Sequence, residues 1–152
     1  MDTKERILVS ACLLGVPCRY DGKSVPCEGV IRLKERAQLV PVCPEQLGGL
    51  STPRPKAEIK AGRVINIEGT DVTDAFRRGA EEVLRMAEIF NCKYAILKEN
   101  SPSCGKGRIY NGDFSGVLVS GNGICAELLC QHGVKVFGES QIDELLEEIS
   151  DE

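Results

Sequence analysis

The sequence has few aromatic residues, no tryptophan and a single histidine. Aromatic residues make up 5% of the 152 positions, which argues against a base-stacking platform of the kind that single-strand-binding proteins use. No apolar run approaches the roughly 20 residues that a membrane-spanning helix needs. The N-terminal residues lead straight into an apolar strand pattern and lack the layout of a signal peptide. We therefore expect a cytoplasmic protein with no membrane partner.

An excess of positive charge is also missing. The net charge is −4 and charged residues make up 28% of the chain, so no stable nucleic-acid partner is expected. A chain of 152 residues is long enough to bury a core as one domain. Because it shows no internal repeat, linker or low-complexity stretch, we expect residues 1–152 to form a single domain.

Cysteine, by contrast, is abundant. An even number of cysteines can indicate a disulfide framework, but such frameworks belong mainly to short secreted domains. This chain is longer and regularly patterned, so reduced or metal-bound thiols are expected instead. Cys92, Cys125 and Cys130 are interpreted as packing residues. The eight cysteines are Cys12, Cys18, Cys27, Cys43, Cys92, Cys104, Cys125 and Cys130.

Short apolar strands alternate with helical patterns along the chain. The clearest helix covers residues 71–91, where apolar side chains recur at helical spacing. The alternation predicts an α/β fold, a Rossmann-like three-layer sandwich with a mainly parallel sheet. The other predicted elements are strands at 6–11, 38–42, 93–99 and 134–138, a hairpin around 61–62, and helices within 27–37, 121–133 and 140–150.

Three of the cysteines follow predicted strands. Cys12 follows the first strand, Cys43 follows the second, and Cys104 lies in the turn "NSPSCGKG" after the third. Loops at the carboxyl ends of parallel strands meet in one crevice, where ligands bind. The three thiols could therefore hold a metal or an iron–sulfur cluster, although their spacing matches neither a ferredoxin nor a zinc ribbon.

Polar residues beside these cysteines could carry chemistry. Glu45 lies two residues after Cys43, and Ser101 and Ser103 flank Pro102 just before Cys104. Lys98 and Arg54 could supply positive charge to a polar ligand. Taken alone, however, the position of Glu45 favours an ordinary loop carboxylate, and the two serines favour turn formation around the proline.

Several separate motifs resemble one known family. The stretches "CLLG…CRYDG", "VCPEQLGGLSTPR", "DVTDAF..GA" and "LKENSPSCG" together look like the thiouracil desulfidase family, over roughly residues 7–137. That resemblance implies a cytoplasmic enzyme with an oxygen-sensitive 4Fe–4S cluster. Such an enzyme replaces the sulfur of a thiolated pyrimidine with oxygen, releases hydrogen sulfide and needs no electron donor.

The resemblance also implies roles for individual residues. Cys12, Cys43 and Cys104 would be the three protein ligands, which leaves the fourth iron open. Glu45 and Ser101 fall on positions associated with catalysis, and we assign Ser103, Lys98 and Arg54 to substrate binding. The expected substrate is a thiopyrimidine base or nucleoside, such as 2-thiouracil or 4-thiouracil.

Other readings remain open at this stage. A noncatalytic module could use the same thiolates for a structural zinc or a sensing cluster, and a nucleotide-binding protein could simply carry reduced thiols. Cys18 and Cys27 are not required by a three-ligand scheme. Cys18 could nevertheless act as a fourth ligand, which would close the open iron.

Overall fold

A four-stranded parallel sheet forms the centre of the molecule. The computed structural model describes residues 4–150. The strands are β1 (Arg6–Ser10), β2 (Gln38–Val42), β3 (Ala57–Lys60), β4 (Arg63–Asn66), β5 (Tyr94–Leu97), β6 (Arg108–Tyr110), β7 (Leu118–Ser120) and β8 (Lys135–Gly138). The helices are α1 (Glu28–Ile31), α2 (Pro44–Leu47), α3 (Thr73–Ile89), α4 (Ile124–Gln131) and α5 (Ile142–Ser150).

The strand order of the central sheet is β2-β1-β5-β8, and all three pairings are parallel. The inner strands β1 and β5 are almost wholly buried, since helices cover both of their faces. Two small antiparallel hairpins, β3–β4 and β6–β7, lie outside this sheet. No helix among residues 4–150 has the length and apolar character to cross a membrane.

Helices pack on both faces of the sheet. One core contains Leu8 and Ala95 together with Val83 of α3 and Leu129 of α4. The opposite core contains Ile7 and Ile96 together with Val30 of α1 and Leu145 of α5. The two cores confirm the predicted α/β sandwich with a parallel sheet.

The order of the strands determines where a ligand can bind. The chain leaves β1 along one face of the sheet to reach β2, and leaves β2 along the other face to reach β5. After β5 the chain runs through α4 to β8, on the face opposite the connection after β1. The connections after β1 and β5 therefore diverge, which opens a crevice at the carboxyl ends of these two strands. Cys12 is the second residue after β1, and Cys104 lies in the loop after β5.

The predicted elements correspond well to the observed ones, with shorter bounds. The prediction of a helix over 71–91 is confirmed by α3, whose first N–H, that of Thr73, is bound by the carboxylate of Asp71. Asn91 ends it with a φ of 55°. The helix expected within 27–37 is short, because α1 gives way to a 3-10 turn at Arg32–Glu35. The β6–β7 hairpin was not predicted.

Two glycines allow α2 to lie against α3 at backbone distance. A Cβ atom at Gly79 would lie 1.8 Å from the carbonyl oxygen of Pro44, and one at Gly48 would lie 2.0 Å from that of Ala75. Neither oxygen belongs to a flexible side chain, so neither can move aside cheaply. The close approach fixes α2, and with it the two residues Cys43 and Glu45 at its start.

Gly79→Ala should therefore destabilise the protein, although the same change in an ordinary helix interior stabilises by about 1 kcal/mol. The methyl group would push α2 away, and we expect a loss of about 3 kcal/mol from overpacking. Urea unfolding followed by circular dichroism measures this loss.

Gly29→Ala is the matched control for this substitution. Its Cβ would meet the end of the Ile142 side chain at 2.8 Å, and that side chain can rotate away. Equal midpoints for the two variants would show that the α2–α3 contact is looser than the structure indicates.

Candidate active site

One cavity opens at the carboxyl ends of β1, β2 and β5. Its volume is about 480 Å³, and it lies at the divergence of the connections after β1 and β5. The structure brings every residue of the sequence-derived site to this cavity. The lining includes Cys12, Cys43, Glu45, Arg54, Lys98, Ser101, Ser103 and Cys104.

Each of the three cysteines reaches the cavity from the end of a different strand. Cys12 lies in the 3-10 turn after β1, and Cys43 immediately precedes α2. Cys104 is 4% exposed and lies in the loop after β5. All three are free thiols. Their convergence follows from the parallel sheet, since the carboxyl ends of its strands share one edge.

The surroundings of Cys104 and Cys43 keep both thiols protonated when no metal is bound. Burial raises the pKa of Cys104 to about 12, against which hydrogen bonds from the hydroxyls of Ser10 and Ser103 act. A hydrogen bond with the thiol of Cys18, together with burial, raises the pKa of Cys43. Loss of these protons on metal binding would couple the site to pH, because thiolate is the ligand form.

The donor set fits an iron–sulfur cluster better than a single ion. A donor set made only of thiolates can bind either an Fe–S cluster or a zinc ion. Within residues 4–150, however, no three His, Cys, Asp or Glu side chains are arranged to hold one metal ion. Three free thiols, of which Cys12 and Cys104 are buried and Cys43 is partly exposed, suit a larger group with several metal atoms on a cavity of this size.

Cys18 lies between two of these thiols. It is buried, hydrogen bonds connect its sulfur with Cys12 and Cys43, and the hydrogen bond with Cys12 raises the pKa of Cys18. The Sγ atom of Cys43 is also 3.7 Å from the Cys18 carbonyl oxygen. Cys18 thus has the position of a neutral thiol beside the proposed ligands.

Cys18→Ser should keep the cluster and most of the activity, because a serine hydroxyl can still donate to the neighbouring sulfurs. We expect about four irons per chain, as in a 4Fe–4S protein, and turnover within about threefold of wild type, a change below 1 kcal/mol. Iron and sulfide assays on anaerobically purified protein measure both. Loss of iron and activity together would instead make Cys18 a ligand.

Glu45 is held by an ion pair at the cavity wall. Nε of Arg54 lies 2.9 Å from Oε1 of Glu45, and the two side chains are 6% and 15% exposed. The other guanidinium nitrogens of Arg54 donate to the carbonyl oxygens of Cys18 and Ser51 and to the hydroxyl of Thr52. Each nitrogen of Arg54 therefore has a protein acceptor. A substrate contact for Arg54 stays a prediction.

The two serines form a hydrogen-bonded turn that ends at the same carboxylate. The Oγ atom of Ser101 accepts the N–H groups of Ser103 and Cys104, both at 3.1 Å. It also lies 3.0 Å from Oγ of Ser103, which in turn donates to Oε2 of Glu45 at 2.8 Å. Ser101 is partly exposed and Ser103 is buried, so Ser101 is the more accessible of the two.

Lys98 lies at the rim of the cavity with its charge already paired. Its ammonium group is 3.1 Å from Oε2 of Glu139 and donates to the carbonyl oxygen of Glu99 at 3.1 Å. Its side chain keeps about a quarter of its surface exposed. A contact of Lys98 with substrate also stays a prediction.

Comparisons with known proteins agree with this geometry. A family model described as 2-thiouracil desulfurase matches residues 7–141. The chain belongs to this family. The uncharacterized protein YbbK of Bacillus subtilis (strain 168) is 43% identical over 150 residues, which span 92% of this chain and 99% of YbbK. A solved structure, the 4Fe-4S-dependent thiouracil desulfidase TudS, is 48% identical with a TM-score of 0.91, over 97% of this chain and 99% of that one.

The cavity also contains aromatic residues and a lysine, Lys56, that the sequence analysis missed. Tyr20, Tyr110 and Phe114 line it, although aromatic residues are scarce in the chain. Arg19 lies over the Tyr20 ring at 5.5 Å and Lys56 over the Phe114 ring at 5.8 Å. Flat rings beside cations are suited to a planar polar ligand.

A buried carboxylate holds one of these rings in place. Oε1 of Glu58 accepts the N–H groups of Gly112 and Phe114 at 2.9 and 3.1 Å. Glu58 is on β3, more than fifty residues before the loop that it binds. No local signal in the sequence could have found this contact. Only the motif "CRYDG" pointed to the loop that carries Tyr20.

Proposed function

We propose that this protein is a 4Fe–4S-dependent thiouracil desulfidase, active as a single domain over residues 1–152 in the cytoplasm. It hydrolyses the C=S bond of a thiopyrimidine base or nucleoside, such as 2-thiouracil or 4-thiouracil, and releases hydrogen sulfide. The observation that carries this proposal is the placement of three free thiols and the Glu45 carboxylate around one cavity. The similarity to TudS supports it.

Cys12, Cys43 and Cys104 would hold the cluster. When bound, it supplies a Lewis acid that polarises the thiocarbonyl group toward attack by water. The lining of the cavity combines these three thiols with the aromatic residues Tyr110 and Phe114. A pyrimidine ring could therefore lie between the thiols and these rings, with solvent partly excluded.

Glu45 is the general base in this scheme. Its carboxylate takes a proton from the attacking water and later returns one, so that sulfur leaves as hydrogen sulfide. Water supplies the oxygen of the carbonyl product and both hydrogens of the sulfide, and no electrons are transferred. Arg54 holds Oε1 in place, which leaves the direction of the carboxylate fixed before substrate arrives.

Ser101 lies beside a proposed cluster ligand, and the charged rim orients the substrate. The partly exposed hydroxyl of Ser101 lies next to the proposed ligand Cys104, whose N–H it accepts. Arg19 and Lys56 add positive charge near the rings of Tyr20 and Phe114. These cations suit a polar ring with carbonyl and thiocarbonyl groups, and Lys98 adds a further charge at the rim.

The decisive experiment is an anaerobic purification followed by iron and acid-labile sulfide assays and by incubation with 2-thiouracil. We expect about four irons and four sulfides per chain, the content of a 4Fe–4S cluster, together with sulfide release and formation of uracil. A cluster without turnover on any thiopyrimidine would favour the noncatalytic module. Absence of iron after anaerobic reconstitution would overturn the proposal.

A further inference from the structure

Ser103 occupies a buried position between the two residues assigned to catalysis. It is 2% exposed, and its hydroxyl contacts Oγ of Ser101 at 3.0 Å and Oε2 of Glu45 at 2.8 Å. A residue so enclosed is poorly placed to bind substrate directly. Its contacts link two side chains that lie 56 positions apart in the chain, from Glu45 to Ser101.

The directions of these hydrogen bonds follow from the number of lone pairs. The hydroxyl oxygen of Ser101 has two lone pairs, and both accept backbone N–H groups, those of Ser103 and Cys104. Its contact with Ser103 must therefore use its own hydrogen. Ser103 accepts that hydrogen and donates its own to the carboxylate of Glu45, which as the partner of Arg54 is an acceptor only.

The result is a fixed series of donors from Ser101 through Ser103 to Glu45, with Arg54 at the far side of the carboxylate. Each member restricts the next, because a turned hydroxyl would leave a buried polar atom without its partner. The hydroxyl of Ser103 also lies 3.7 Å from Sγ of Cys104. By distance, this sulfur is a weaker acceptor for Ser103 than the carboxylate of Glu45.

We propose that Ser103 is a positioning residue that joins the hydroxyl of Ser101 to the carboxylate of Glu45, so that the two act as one unit during desulfidation. This inference rests on the proposed function. It changes the role of Ser103 from substrate binding to alignment of the groups that handle the attacking water. Without Ser103, Oε2 of Glu45 loses its donor and Ser101 loses its acceptor.

Ser103→Ala should lower kcat for 2-thiouracil about 100-fold, the scale expected when reacting groups lose their alignment. KM and the iron content should change little, since Ser103 is 2% exposed and its hydroxyl is already engaged by Ser101 and Glu45. Ser103→Thr, which keeps the hydroxyl, should recover most of the lost kcat. Sulfide release and iron are measured on the same anaerobic preparations.

Ser10→Ala separates this role from an effect on Cys104. The hydroxyls of Ser10 and Ser103 both contact the Cys104 sulfur, whereas the Ser10 hydroxyl otherwise accepts the N–H of Lys98. If Ser103 acted mainly through the sulfur, both alanine variants should shift the cluster absorption and lower kcat alike. We expect similar shifts in absorption and a far larger loss of kcat for Ser103→Ala.

A double-mutant cycle with Ser101→Ala gives the strictest test. In the Ser101→Ala background, Ser103→Ala should cost less than about threefold, because residues that act as a unit are not additive. Full additivity, or a Ser103→Ala variant as active as wild type, would overturn the inference and leave the desulfidase function standing. A wild-type protein with its cluster and without turnover would overturn the function, and the role of Ser103 with it.

Discussion

Replacing Cys104 by alanine is expected to leave the protein folded and to remove its iron and its sulfide release together. The side chain is 4% exposed at the cavity, and we propose it as one of three ligands to a 4Fe–4S cluster, which two ligands would hold less firmly. We expect iron to fall from about four per chain to a small residue. Iron assay, the visible spectrum and sulfide release measure the loss.

Cys125→Ala is the matched control for packing. Cys125 is fully buried in the same core as Cys104, and it is not among the described residues that line the cavity. Each substitution removes one buried sulfur and should cost about 1 kcal/mol of unfolding free energy. If the two variants have equal thermal midpoints and only Cys104→Ala loses iron, Cys104 acts as a ligand. Full iron content in Cys104→Ala would exclude Cys104 from the ligand set.

The sequence was informative where local pattern determines structure. Apolar periodicity predicted α3 and the four strands of the central sheet, because burial of an apolar face sets both the helical and the strand spacing. Strand endings then predicted which loops share a crevice. The strand endings therefore predicted that Cys12, Cys43 and Cys104 lie together, and the structure brings them to one cavity.

What the sequence could not predict depends on contacts between distant positions. The ion pair between Glu45 and Arg54 depends on how the Pro- and Gly-rich loop returns toward α2. The same holds for Glu58, which binds the loop carrying Phe114 from the other hairpin. Three-dimensional approach, rather than residue type, decides such pairs. The sequence could not predict that Arg54 and Ser103 would bind the two oxygens of Glu45.

The close contact of α2 with α3 also explains why Glu45 is held firmly. A helix of four residues is too short to be stable alone, so its place must come from tertiary packing. Gly48 and Gly79 provide that packing at backbone distance. A carboxylate on so firmly held a turn has little freedom to move, which is what an aligned general base requires.

Glu45→Gln should abolish turnover while the cluster is retained. The amide keeps the size of the side chain and cannot take up a proton from water, so we expect kcat to fall about 1000-fold, within the range for a lost general base. In the wild-type protein the hydroxyl of Ser103 donates to Oε2 of Glu45. An amide nitrogen at that position would also be a donor, so this hydrogen bond would be lost. Sulfide release measures the loss of turnover, and iron content on the same samples measures retention of the cluster.

Glu58→Gln tests whether loss of any buried negative charge at the cavity has this effect. Glu58 is buried, lines the same cavity and binds two backbone N–H groups, and an amide oxygen can still accept both. We expect kcat to fall less than about tenfold, under 1.4 kcal/mol in barrier height. Losses of equal size in the two variants would mean that the cavity needs negative charge and not a base at Glu45. A fully active Glu45→Gln protein would show that water is activated without this carboxylate.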